Sequence, residues 1–263
     1  MPDQVGKRML QLCRDERFAL AGVCPARPSD HPEALRAWLA AGRHGSMSWL
    51  ADHTDVRLDP RLLLEDARSV VMVADQYARR DGASTTHEDL PAGHGRVARY
   101  ARGDDYHVIM KRRLHRICDL LREEHPEHAF RAFVDTAPIL EREHAARAGL
   151  GWIGKHTLLI HPRRGSYLFL GGIITTLSLE APVHQRVEPD RCGTCTRCID
   201  ACPTEAIVPY SVDASKCIAY LTIERREDIE PRFHEAIDDM IFGCDICQEV
   251  CPFTRRFAEA PTE

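Results

Sequence analysis

The chain has 263 residues, 44% hydrophobic and 29% charged, with a formal net charge of −5. That length suffices for one large domain with a real core plus a small appended one, and the acidic balance excludes a protein that coats nucleic acid with its whole surface. No apolar run approaches the roughly 18 residues a membrane helix needs. The charged N-terminus, MPDQVGKRMLQLCRDERF, lacks an apolar signal core and a twin-arginine pair, so the expected location is the cytoplasm.

In chain order, the pattern predicts a helix over 4–16, a short strand at Phe18–Val23 and a helix at Pro32–Ala41. A buried strand follows at Ser69–Ala74, read from its β-branched content. The clearest helix covers Asp104–Glu124, where Met110, Leu114, Ile117, Cys118 and Leu121 make one apolar face. A strand at Ala129–Val134, a helix at Pro138–Gly149 and strands at His156–Ile160 and Tyr167–Thr176 complete an interleaved α+β region. The stretch EAPVHQRVEPD, Glu180–Asp190, breaks the periodicity with two prolines. The expected division is therefore a domain at 1–185, a second at 186–256, and a tail at 257–263 expected to be disordered. Basic pairs such as Arg79–Arg80 and Arg255–Arg256 read as solvated surface.

Eight of the eleven cysteines fall between Cys192 and Cys251. In a reducing compartment such clustering points to metal, not disulfides. Cys192, Cys195, Cys198 and Cys202-Pro203 spell C-x2-C-x2-C-x3-C-P, the run of bacterial two-cluster ferredoxins. Cys244, Cys247 and Cys251-Pro252 repeat the second part of it, and the missing first cysteine lies 27 residues upstream of Cys244, at Cys217, across an expected helix around Glu230–Ile241. Three closely spaced thiolates wrap one cube, and the fourth, after a three-residue step, reaches the other. The spacing therefore assigns Cys192, Cys195, Cys198 and Cys251 to one [4Fe–4S] cluster, and Cys202, Cys217, Cys244 and Cys247 to a second. Two four-cysteine zinc sites are the alternative, disfavoured by the triple C-x2-C-x2-C. Cys13, Cys24 and Cys118 read as buried small hydrophobes.

Two motifs mislead. Gly149, Gly151 and Gly154 spell G-x-G-x-x-G, but they follow a helix and lead into a strand, the reverse of a dinucleotide site. They suit a helix cap or a close backbone approach to some other flat ligand. Asp105-Tyr106-His107 begins like a D-x-H-x-x-G cobalt-ligand motif, yet Met110 stands at the glycine position. His107 therefore reads as an ordinary helix-surface or satisfied histidine.

The segments Phe133-Val134-Asp135-Thr136-Ala137-Pro138, Leu140-Glu141-Arg142, Ala148-Gly149-Leu150-Gly151-Trp152-Ile153-Gly154-Lys155, Gly165-Ser166-Tyr167 and FGCDICQEVCP together resemble epoxyqueuosine reductase. The resemblance runs over about residues 10–256. It implies an N-terminal mixed α/β cobalamin-binding domain resembling the reductive dehalogenase core, with a two-cluster ferredoxin-like domain packed against it. It further implies base-off cobalamin, with no protein histidine on cobalt. The implied reaction is removal of the epoxide oxygen of epoxyqueuosine as water, at the tRNA wobble nucleotide in the anticodon stem-loop. Cob(I)alamin, fed by two [4Fe–4S] clusters and an external low-potential electron donor, would be the nucleophile in a monomeric enzyme.

By the same resemblance Asp135 is the proton donor and a cofactor contact, its proton retained beside an apolar corrin face; from the residues alone, a helix cap before Pro138 reads better. Arg57, Ala98, Leu159, Leu170, Ala219 and Asp245 fall at implied cobalamin positions, and Arg225 or Arg226 at an implied tRNA contact. Many family members continue into a basic helical-repeat domain, whereas this sequence stops seven residues after Arg256, which implies weaker, more salt-sensitive tRNA binding. Competing readings are a cobalamin-dependent reductive dehalogenase of a small organohalide and a non-catalytic iron–sulfur electron carrier.

Overall fold

The structure, a computed structural model, describes residues 2–77 and 93–257. The Arg79–Arg80 pair and all but the first residue of the expected tail lie outside them. In chain order the elements are α1 (Pro2–Asp15), β1 (Leu20–Pro25), α2 (Pro32–Ala40), α3 (Trp49–Asp52), α4 (Thr54–Leu58), β2 (Ser69–Gln76), β3 (Arg96–Val97) and α5 (Tyr106–Glu124). Then follow β4 (Phe130–Val134), α6 (Glu141–Arg147), β5 (Trp152–Ile153), β6 (Leu159–Ile160) and β7 (Leu168–Thr175). The cysteine-rich part adds α7 (Arg197–Asp200), β8 (Ile207–Val208), β9 (Ser211–Val212), α8 (Ile218–Ile223), α9 (His234–Ile237), β10 (Met240–Phe242), α10 (Ile246–Glu249) and α11 (Pro252–Phe257).

Alternation along β2 explains the layers. Its side chains point to opposite faces in turn, and both faces are apolar. Val71 and Val73 meet α1 and α5 through Met9, Leu114, Ile117 and Phe18. Val70, Met72 and Ala74 meet the other side through Ile139, Ala145 and Leu150. Around this strand an antiparallel sheet forms in the order β1-β2-β7-β4. The Met110–Leu121 face predicted for the long helix is the one that is buried.

The cysteine-rich part docks on the sheet at two seams. Trp38 Nε1 donates to the Val212 carbonyl (2.6 Å), and the Ser46 amide donates to the Tyr220 hydroxyl (2.8 Å). On the other side Ser166 Oγ donates to Gln248 Oε1 (2.9 Å) and lies 3.0 Å from Thr254 Oγ1. Ser166 is buried, so the Gly165-Ser166-Tyr167 motif is a docking seam.

Three expectations shift. The helix expected from Pro138 starts only at Glu141 and is capped by Leu140 without a side-chain bond, so Asp135 is not its cap. The helix expected around 230–241 is a short 3-10 turn followed by α9, broken at Asp238, whose φ of 50° is left-handed. The chain then turns into β10, which pairs parallel with β3, secured by Arg96 Nε on Asp239 (2.8 Å). The glycine motif serves its own hairpin: Gly149 (φ 76°) ends α6, and a Cβ on Gly151 would meet the Ile160 carbonyl oxygen at 2.2 Å. Cys13, Cys24 and Cys118 are buried as expected, and burial pushes the first two thiols up to about 12 and the third to about 11.

Candidate active site and cluster-binding thiols

Between the sheet and the cysteine-rich part lies a cavity of about 820 Å³. One wall comes from β7 and the β5–β6 hairpin, with Leu159, Leu168 and Leu170; aromatic rings of Trp38, Trp49, Tyr77 and Tyr100 extend it. The facing wall carries Ala219, Asp245 and the thiols of Cys202, Cys217, Cys244 and Cys247. Those four are the set that spacing assigned to one cluster. A mostly apolar, concave site with few polar groups is what a large flat cofactor needs.

The cysteines of the double run lie near one another. Burial pushes Cys247 well above the ordinary thiol range, and the nearby Cys244, Cys217, Cys198 and Cys202 push it further. Cys198 is raised to about 11 by burial, then by Cys192, Cys251 and Cys195. Cys198 on α7 and Cys247 on α10 thus stand at the join of the two sets. Crowded thiols are costly as anions unless cations bind them, which is the chemistry of an iron–sulfur cage. Among the described residues no three His, Cys, Asp or Glu side chains converge on a single-ion position. A cubane takes its thiolates at separate corners, so its ligands need no common point. Lys155 Nζ fixes the first loop by donating to the carbonyls of Gly193 (2.6 Å) and Cys195 (3.1 Å).

Asp135 sits on the cavity wall in the turn after β4. The Tyr106 hydroxyl donates to its Oδ2, and His107 Nε2 lies 2.9 Å from its Oδ1. Asp245, buried, accepts from the Arg99 amide at 2.7 Å, and burial raises its carboxyl. Arg57 is buried just behind the wall; its guanidinium stands 5.2 Å from the Trp49 ring centroid and its Nε has no protein partner. Ala98 is buried and is not a lining residue; its amide donates to the Phe242 carbonyl (2.8 Å). Arg225 lies outside the cavity, 3.5 Å from Glu230, and Arg226 is exposed.

Sequence reading missed three groups here. His107 reads from the sequence as an ordinary helix-surface or satisfied histidine; it is satisfied, and the partner that this reading leaves unnamed is Asp135. Glu141, on the wall, is raised to about 8 by burial first, with the nearby Asp135 adding to the shift. His156 is buried on the wall; its Nδ1 accepts from the Leu158 amide (3.2 Å), leaving Nε2 a donor without a protein partner. A signal for the last existed in the His-x-Leu step into a strand, but it is weak.

The residues therefore suit a corrinoid: apolar walls, an unpartnered buried donor on His156, and a ring of thiols on one side.

Residues 57–136 match the family model for epoxyqueuosine reductase QueG, DUF1730, and residues 191–254 match a 4Fe-4S double cluster binding domain. The chain is 44% identical over 223 residues to the epoxyqueuosine reductase of Cellulophaga algicola, covering 84% of this chain and 69% of that one. It is 42% identical over 266 residues to that of Xanthomonas campestris pv. campestris, covering 100% and 73%. A crystal structure of epoxyqueuosine reductase with an epoxyqueuosine-modified tRNA-Tyr stem loop superposes with a TM-score of 0.83 at 29% identity, over 96% of this chain and 66% of that one. A catabolic reductive dehalogenase, at 14% identity and a TM-score of 0.58, shares the fold. The chain spans about two thirds of its relatives' length, and among the described residues no helix is long and apolar enough to cross a membrane. With the mixed α/β core, the double-cluster region and these matches in hand, the chain belongs to the epoxyqueuosine reductase family.

Proposed function

We propose that this chain reduces the epoxide of epoxyqueuosine in tRNA, forming queuosine, with a corrinoid in the cavity and two [4Fe–4S] clusters on the eight thiols. One observation carries the reading: a single cavity is walled both by Asp135 and by Cys202, Cys217, Cys244 and Cys247. A reducing cluster and a proton donor thus face the same space.

Cobalamin, when bound, would supply a strongly reducing, nucleophilic cobalt centre. Leu159, Leu170 and Ala219 would line its ring and exclude water, which strengthens every charge interaction inside. His156 would offer its unpartnered N–H to its polar periphery, while Arg57 would back the wall through Trp49. Asp245, fixed by the Arg99 amide, would hold the cluster-side edge. Asp135 would place a proton on the leaving oxygen, a contribution on the order of 10²- to 10⁴-fold. Its two partners, Tyr106 and His107, orient the carboxyl toward the cavity.

The assignment of each thiol to its cluster, the division at 185/186, and Arg225 or Arg226 as phosphate contacts belong to the same proposal. So do a monomeric state, a cytoplasmic location and an external low-potential donor. A reduced holoenzyme should convert an epoxyqueuosine-bearing stem loop and leave a panel of small organohalides untouched. Dehalogenation without stem-loop turnover would sink the proposal.

A further inference from the structure

The reaction needs two protons, and Asp135 stores one. Loss of an epoxide oxygen as water breaks two C–O bonds, leaves the carbons doubly bonded, and consumes two electrons and two protons. The electrons come from the clusters, refilled by the external low-potential donor. The second proton, and the reloading of Asp135 between turnovers, require a path to bulk water.

A path exists on the side of Asp135 away from the cavity. His107 Nε2 lies 2.9 Å from Asp135 Oδ1, and its Nδ1 lies 2.7 Å from Asp105 Oδ1. The side chains are 61% exposed at Asp105, 37% at His107 and 45% at Asp135, which lines the cavity, so the row joins an exposed carboxylate to the cavity wall through a half-covered imidazole. Local structure fixes it: Asp105 caps α5 and accepts the His107 amide (2.9 Å), and the His107 ring stacks on Tyr106 at 4.0 Å. Tyr106 is not the source. Burial, then its hydrogen bond to Asp135, raises its phenol above the ordinary value, so it keeps its proton and only donates a hydrogen bond. The other titratable groups facing Asp135 are Tyr100 and Glu141, neither of which hydrogen-bonds to it; Tyr100 is itself raised by burial.

We infer that His107, oriented by Asp105, is a proton-relay residue: it reloads Asp135 from solvent and so delivers the second proton of each turnover. The inference rests on the proposed reaction. Histidine suits the task because its two ring nitrogens can take a proton on one side and release it on the other. Sequence offered only an incomplete cobalt-ligand motif here; the geometry gives the Asp-x-His pair a different use.

The test compares wild type, His107→Gln and His107→Ala as reduced holoenzymes, with iron content and cobalamin absorption confirmed equal. Both variants should lose about 100-fold or more in kcat with KM for the stem loop unchanged. Added imidazole should restore much of the His107→Ala rate. A readout apart from turnover is the infrared carboxyl band of Asp135, assigned by its loss in Asp135→Asn. Its frequency should shift in His107→Gln, where the imidazole contact is lost, while the band itself persists. Unchanged kcat, a loss that imidazole does not repair, or an unshifted band overturns the relay. If wild type itself fails to turn over the stem loop, the functional reading fails, and the infrared band still decides whether His107 engages Asp135.

Discussion

The sheet region and the cysteine-rich region are stabilised by different means. Among the described residues, the largest fully buried side chains, Phe133, Met9, Met72 and Met110 among them, all precede residue 175. Apolar burial at roughly 25 cal/mol per Å² can hold such a core by itself. The cysteine-rich region has a smaller cluster, Ile218, Leu221, Phe233, Met240 and Ile246, and takes Trp38 and Met47 from the other region to complete it. Its elements are short, none longer than six residues. Segments of that kind fold on their ligands, and the thiols supply them. The sheet therefore presents a ready-made wall, while the facing wall depends on its clusters.

The strongest challenge to this contrast is Cys217→Ser. It should abolish turnover, lower the iron content, and loosen amide protection across 207–247 while the sheet amides stay protected. Loss of protection in β2 or β7 as well would break the contrast. Asp135→Ala comes next: both cofactors kept, stem-loop turnover down on the order of 10²- to 10⁴-fold. Normal turnover would leave Asp135 a mere turn residue. On the sheet side, Phe133→Ala should cost about 3–5 kcal/mol of stability in denaturant titration, with iron content unchanged. A variant that also shed iron would show that the two regions are not separable.

The smallest effect concerns pH. Glu141 is raised to about 8 in the folded chain, from 4.5, chiefly by burial. A carboxyl raised in this way contributes stability that is fully present below 4.5 and is lost as pH rises through about 8. Stability should decline across that window, and Glu141→Gln should flatten the decline. An unchanged slope would place the titration elsewhere.

What the sequence revealed depended on how local the signal was. Cysteine spacing is local and chemical, so the double-cluster region could be read directly. The apolar face of α5 and the buried strand β2 were legible for the same reason. Asp135 could be named only through family resemblance, because a carboxylate before Thr136-Ala137-Pro138 looks like a cap. His107 escaped because its partner lies 28 residues on, in a turn after β4, and no period links them. β10 escaped too: a three-residue strand is defined by its pairing with Arg96 and Val97, more than 140 residues away. Arg57 and Ala98, named by resemblance, are buried and do not line the cavity, a position that only packing reveals.

The most direct measurement is anaerobic metal analysis with EPR on protein reconstituted with cobalamin. About eight irons and one base-off cobalt per chain are expected from eight thiolates and one corrin-sized cavity. Zinc on those thiols, or no cobalt retained, would leave Asp135 facing a space with no source of electrons.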